Sequence, residues 1–344
     1  MRHLQYFLGD TTMTSLKLKT LLASLALAAS GMAAAQNSLL NVSYDVAREF
    51  YKDYNAAFAA HYKKTTGQDV KIDQSHAGSS AQARAVNDGL AADVVTMNTT
   101  TDVQFLADSG VVAKDWAKKF PHDASPTTST MLFLVRNGNP KGIKDWDDLI
   151  KPGVQVVVVN PKTGGNGRMA YLAAWGQVRA KGGSDAQAAE FVGKLYKNVP
   201  VLARGGRDAT GVFLQRNIGD VLITFESEVV SVDKEFGAGK VDVIHPSASI
   251  VAENPVAIVE RTVAKKGTAA DAKAYLDFLY SPEGQEIAAK HNIRPRNEAV
   301  LKKYAAAFKP IKLFTVEQYF GSLADAQKVH FNDGGQFDKL YTTK

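Results

Sequence analysis

The sequence predicts an α/β protein of two lobes, each a mostly parallel sheet flanked by helices, with a ligand cleft between them. Three observations predict this. Short β-branched strands alternate with helical patterns along the chain, so most crossovers are helical. No repeat, low-complexity segment or long Pro/Gly linker divides the 344 residues, of which 45% are hydrophobic and 22% charged. That length suits two domains or one two-lobed unit. Finally, four strand exits carry small or polar residues, and ligands of open α/β sheets sit beyond the carboxyl ends of strands.

The chain opens on a stretch that does not belong to the fold. Lys17 and Lys19 precede a mostly apolar run, Leu21 to Ala29, followed by Gly31-Met32-Ala33-Ala34-Ala35. A basic region, an apolar run too short to span a bilayer and an Ala-x-Ala site together read as a signal peptide over 1–35. Met13 is the expected start and Gln36 the expected first mature residue. No Cys stands at the cleavage site, which excludes a lipoprotein anchor.

The elements then follow in order. Leu39–Tyr44 reads as a strand, and Arg48–Thr66 as an amphipathic helix with Phe50, Tyr54, Phe58 and Tyr62 on one side. Val70–Gln74 is a second strand, leading through His76-Ala77-Gly78-Ser79-Ser80 into a helix that runs to Gly89; Asp93–Thr96 is a third strand. Met131–Arg136 and Val154–Val159 start a second set. Helices are expected near Arg168–Lys181, Asp185–Lys197 and Asp208–Asn217, with a strand at Val221–Phe225. Val256–Val259 is a further strand, followed by helices over Ala269–Tyr280, Ser281–Lys290 and a C-terminal stretch. Crossovers near Ser125–Arg136 and Ile250–Val259 would insert one lobe into the other. The expected division is 36–129 with 253–344 for the first lobe and 130–252 for the second.

Composition narrows the function classes. The formal charge is +6. It falls to +4 without residues 1–35, which hold Arg2, Lys17 and Lys19 against Asp10. A mild positive excess steers anions. The basic residues are scattered rather than interleaved with aromatics, so no nucleic-acid footprint is read. Cysteine is absent, which suits a large periplasmic protein with a sufficient core rather than a disulfide scaffold. The histidines share no metal-ligand spacing, so neither metal nor cofactor is expected.

The most informative stretch is Asn160-Pro161-Lys162-Thr163-Gly164-Gly165-Asn166-Gly167-Arg168. A strand ends in a glycine-rich loop that feeds a helix, aiming unpaired N–H groups and the positive end of a helix dipole at one point. Gly205-Gly206-Arg207-Asp208 repeats the arrangement, and Ser79 opens another helix beside Gly78 and Ser80. Together these favour a small oxyanion. A phosphate-cradling P-loop is rejected, because Lys162 and Thr163 precede the glycines and Arg168 follows them. No G-x-S-x-G nucleophile motif is present. An enzyme would need titratable groups converging on the cleft, for which only Asp45, His76 and Asp208 offer themselves.

Read together, several segments resemble the periplasmic sulfate-binding proteins of sulfate/thiosulfate ABC importers. They are Leu39–Asp45, Ile72–His76 with Gly78-Ser79, Thr128–Thr130, Phe133–Lys141, Asp145–Gly153, Tyr171–Gly176, Ile218–Ile223 and Tyr280–Lys290. The resemblance covers essentially the whole mature chain. It implies the two-lobed, type II-like, hinge-closing binding-protein fold, a monomer, a membrane permease as partner and no catalysis. A dehydrated dianion would be held by neutral donors: Ser79 from the first lobe, Gly164, Gly165 and Asn166 from the loop, and Gly206 at the next helix start. Asp45, Gly78, Ser80, Thr163, Gly167, Arg168, Arg207 and Asp208 would border the pocket.

The chain departs from that pattern at the site. Gly164 stands where the family has a serine hydroxyl, and Phe225 where a tryptophan N–H reaches the anion. Met169 replaces a second tryptophan, and Asp208 replaces a favoured glycine. Two side-chain donors are thus missing, and the pocket is expected to be larger and more apolar. Sulfate, thiosulfate or a small sulfonate remain as ligands. A secreted enzyme or a sensor on the same two lobes is the alternative from another class.

Overall fold

The computed structural model describes residues 37–341, of which 38–341 belong to one compact unit. The expected signal peptide and its cleavage site lie outside the described residues. The chain enters as β1 (Asn37–Tyr44), then α1 (Arg48–Thr66), β2 (Val70–Ala77), α2 (Ser79–Asn87), β3 (Val94–Thr96) and α3 (Thr100–Asp108). Phe50, Tyr54, Phe58 and Tyr62 are all buried on α1, as their four-residue spacing dictates. Gly67 ends the helix at φ 75°, a left-handed cap that glycine adopts without strain.

A crossover strand, β4 (Thr127–Ser129), leads into β5 (Met131–Arg136) and then β6 (Val156–Val159), α4 (Gly165–Ala180) and α5 (Asp185–Lys197). The set continues with β7 (Leu202–Ala203), α6 (Gly206–Thr210), β8 (Val221–Phe225), α7 (Glu228–Phe236) and β9 (Val241–Ile244). The chain leaves through β10 (Ala248–Ile250), β11 (Ala252–Asn254) and β12 (Val256–Ile258), then α8 (Ala269–Phe278), α9 (Pro282–Lys290), β13 (Arg294–Pro295), β14 (Lys312–Phe314) and α10 (Gln336–Tyr341).

Two main sheets result, ordered β12-β3-β1-β2 and β7-β6-β8-β5-β9. β1 runs parallel to β3, with Asn41 opposite Val94, and β6 runs parallel to β7 and β8. The antiparallel members, β12 and β5, are the strands that arrive without a crossover helix, and β9 runs in the same direction as β6, β7 and β8. β12 lies antiparallel to β3, and β5 antiparallel to β8 and β9. The two connections, β4 and β11, pair with each other, and β4 also pairs with β13, putting Thr128 opposite Glu253 and Arg294.

The end of the chain departs from its expected place with the first sheet. β14 pairs with β10, and the Phe337 ring packs 5.2 Å from that of Tyr196 on α5. His330 reaches the Tyr171 hydroxyl at 3.1 Å. Gly176 on α4 has no room for a Cβ, because the Phe314 ring lies against it. The stretch from Lys312 thus packs on the helices of the second sheet, because an aromatic cluster on α4 and α5 needs covering there.

Candidate functional site

The strand exits converge. A Cβ on Gly78 would sit 3.6 Å from the Arg204 carbonyl and 3.9 Å from that of Thr163. One on Gly206 would be 3.5 Å from Asp45 Oδ1 and 3.7 Å from Asn166 Nδ2. All four loops expected to line the cleft therefore meet: 43–45, 75–80, 163–168 and 203–210. Gly78, Gly164 and Gly205 are the N-caps of α2, α4 and α6. A helix's first N–H groups have no intrahelical acceptor, so those of Ser79, Gly165, Asn166 and Gly206 are free to serve a ligand.

Individual residues separate into groups. Ser79 is 1% exposed, and its hydroxyl faces Met97 Sδ and accepts from the Asn98 N–H at 3.4 Å. What it offers a ligand is its backbone N–H. The Gly164 N–H already donates to the Asn160 carbonyl at 3.1 Å, because the loop closes on itself before α4 begins. The expectation of a donor at Gly164 is corrected accordingly. The helix begins at Gly165, three residues before its expected start, so Gly165 and Asn166 occupy its first turn.

The two remaining loop glycines have different duties. At Gly165 a Cβ would overlap Asn98 Oδ1 and lie 2.7 Å from Thr99 Cγ2. At Gly167 it would strike the backbone of β6 and its exit, with the Asn160 carbonyl carbon at 2.7 Å. Gly167 is thus a strand–helix packing residue rather than a pocket residue. Thr163 is exposed.

Arg168 and Ser80 are engaged with each other. Arg168 Nη2 donates to Ser80 Oγ at 2.6 Å and to Asp102 Oδ1 at 3.0 Å. Ser80 donates to the same carboxylate oxygen at 2.9 Å, and Thr99 to the other at 3.0 Å. Arg207 turns outward to Glu235. Asp208 accepts from the Arg204 N–H at 2.8 Å, so it caps its own loop instead of facing the pocket.

The carboxylate that does reach the site is Asp45. Its Oδ2 accepts from the Arg207 N–H at 3.2 Å and its Oδ1 from the Val46 N–H at 3.0 Å. Burial pushes this carboxyl above its ordinary value, and those N–H groups pull against the shift. Behind it, Glu228 is 2% exposed and accepts from the Thr210 hydroxyl at 2.7 Å. Burial raises its carboxyl to about 7. His76 bonds the Tyr44 carbonyl and Gln74, and burial lowers its ring to about 4.

Phe225 is 1% exposed and belongs to the larger hydrophobic cluster with Val221 and Ile223, on the strand face opposite Leu222. On the Leu222 face, Thr224 accepts from Asn166 Nδ2 at 3.1 Å. The side chain of β8 that meets the loop is therefore Thr224, which the sequence reading missed, as it missed Asn98. Both stand at the carboxyl end of a recognised strand, and that position is the signal that points to them. Among the described residues no group of three His, Cys, Asp or Glu is placed to hold a metal, and no helix is long and apolar enough to cross a membrane.

Comparison with known proteins agrees with this geometry. The profile of the bacterial extracellular solute-binding protein family matches residues 40–294. A thiosulfate-binding protein of Pseudomonas aeruginosa is 55% identical over 92% of this chain and 96% of its own. A sulfate-binding protein of Escherichia coli K12 is 51% identical over 91% and 96%. The solved sulfate-binding protein SubI of Mycobacterium tuberculosis H37Rv superimposes with a TM-score of 0.76 at 31% identity, covering 84% of this chain and 98% of that one.

Proposed function

Because the chain belongs to the bacterial extracellular solute-binding proteins, we propose that it captures sulfate or thiosulfate for an ABC importer. The observation that carries this reading is the convergence of free first-turn N–H groups, at Ser79, Gly165, Asn166 and Gly206, on one buried place between the two sheets. Such groups and their helix dipoles stabilise an anion without a counter-charge. Arg168, a buried cation in the helix that the loop feeds, is already paired with Asp102.

A fully deprotonated oxyanion offers only acceptors and matches an array of donors. A protonated one would leave a buried hydrogen unpaired, which costs ~1–3 kcal/mol. Thiosulfate has a specific argument in its favour. Gly164 has no side chain and its N–H is engaged, so this position offers the anion no donor. A terminal sulfur needs no strong donor opposite it. A small sulfonate would use the same room.

The protein is read as a monomeric periplasmic binding protein that delivers its anion to a membrane permease after cleavage of the leader, with no catalysis. Lobes of 36–129 with 253–311, and 130–252 with 312–344, fit the strand pairing. The test is thermal unfolding of Gln36–Lys344 with each anion. A ligand at 1,000 times its dissociation constant stabilises by ~4 kcal/mol, so sulfate or thiosulfate should raise the midpoint several degrees and phosphate should not. No shift with any sulfur oxyanion would refute the proposal.

A further inference from the structure

The loop after β3 brings a side chain to the site that none of the glycine-rich helix starts accounts for. Asn98 is 3% exposed, and its backbone N–H is 3.4 Å from Ser79 Oγ. Its carboxamide lies on Gly165 so closely that a Cβ there would overlap Oδ1 and stand 3.0 Å from Cγ. Asn98 therefore bridges the first residues of α2 and α4, whose N–H groups point into the site. Its Oδ1 is buried without any hydrogen-bonding partner.

A second carboxamide answers it from the other sheet. Asn166 is 5% exposed and its Oδ1 is likewise unpartnered, while Nδ2 donates to Thr224 Oγ1 at 3.1 Å. A hydroxyl can donate or accept, so a half-turn of the Asn166 amide keeps the Thr224 bond and turns Nδ2 toward the unpartnered position. The same half-turn at Asn98 puts its NH₂ group where the bare oxygen now lies. Two buried amides with unmet hydrogen-bonding capacity thus flank the N-terminus of α4. An oxyanion that can only accept selects the N–H face of each.

We propose that Asn98 is a ligand-reading residue, its carboxamide donating N–H to the bound sulfur oxyanion, with Asn166 opposing it from the other side. This rests on the reading of the site as one for sulfate or thiosulfate. Asn98 then supplies from a side chain what the backbone N–H groups lack, a donor free to turn toward whichever oxygen the anion presents.

The test compares wild type, Asn98→Ala and Asn98→Asp in the mature protein by calorimetric titration with thiosulfate and sulfate, alongside thermal unfolding without ligand. Losing a hydrogen bond to a charged group weakens binding about tenfold to a hundredfold. Asn98→Ala should show that loss, and Asn98→Asp, which offers only acceptors and a negative charge, a larger one. The ligand-free midpoint of Asn98→Ala should stay level or rise, since an unpartnered group is being removed. Affinity within twofold of wild type would overturn the proposal. So would a lowered ligand-free midpoint with unchanged affinity, which marks a structural role. Wild type that binds neither anion would refute the reading of the site itself.

Discussion

Arg168 Nη2 stands 3.0 Å from Asp102 Oδ1, tying the helix after the glycine loop of one sheet to the helix after β3 of the other. Both side chains are more than nine-tenths buried, at 8% and 7% exposure. Ser80 and Thr99 complete the carboxylate's partners. The pair is therefore a latch between the two sheets, made where α3 and α4 begin.

Removing half of the latch should favour separation of the lobes. Breaking a buried pair costs about 3–5 kcal/mol when the remaining charge stays buried. If the lobes hinge, Asp102 in Arg168→Ala escapes that cost by opening to water. The expected result is a larger radius of gyration by X-ray scattering with thiosulfate present, and an affinity at least tenfold weaker. Scattering and affinity matching wild type would show that the pair does not govern closure.

Gly165→Ala and Gly167→Ala should separate binding from folding. An alanine at 165 meets Asn98 and Thr99 across the site, whereas one at 167 meets the backbone leaving β6. Alanine is otherwise the better helix former by about 1 kcal/mol. Gly165→Ala is expected to lose most anion affinity and keep its ligand-free midpoint. Gly167→Ala should lose about 1–3 kcal/mol of stability by overpacking. Equal midpoints and equal affinities for the two variants would contradict this assignment of roles.

Glu228 gives the fold a pH dependence. Burial raises its carboxyl from 4.5 to about 7, against the Thr210 hydroxyl and Arg207 and with help from Asp45 and Glu235. The folded protein then keeps a proton that the unfolded chain has released between those pH values. The stability that Glu228 contributes is full below pH 4.5 and is lost as pH rises through 7, by an amount on the order of 3 kcal/mol. Glu228→Gln should reduce the fall in thermal midpoint between pH 5 and pH 8. An identical fall in both proteins would remove Glu228 as its cause.

Phe225→Trp tests whether the β8 exit can regain a donor. Phe225 lies in the core cluster and Thr224 faces Asn166, so a larger ring should overpack the core by about 1–3 kcal/mol. Unchanged or weaker sulfate binding with a lowered midpoint is expected. Tighter sulfate binding would show that the indole N–H reaches the anion after all.

Much of this was legible in the sequence because it rests on local rules. The α1 stripe from Phe50 to Tyr62 follows helix periodicity, and the glycine-rich stretch 164–167 marks a strand-to-helix turn in any context. What was not legible depends on distant partners. Asp208 and Asp45 both precede or open helical turns, and only the assembled loops show that Asp208 caps Arg204 while Asp45 reaches Arg207. Asn98-Thr99-Thr100 reads as an ordinary helix start, and its role emerges when Gly165 packs on it. The C-terminal stretch covers Tyr171 and Tyr196 through contacts more than 140 residues apart in sequence, beyond the reach of any local pattern.

The most direct test of the central claim is calorimetric titration of Gln36–Lys344 at pH 7 with sulfate, thiosulfate, phosphate and a small alkanesulfonate. Stoichiometric binding of sulfate or thiosulfate is expected, thiosulfate the tighter, with no measurable heat from phosphate. Equal binding of phosphate, or no binding of either sulfur oxyanion, would contradict the reading of the site as one for a fully deprotonated sulfur oxyanion.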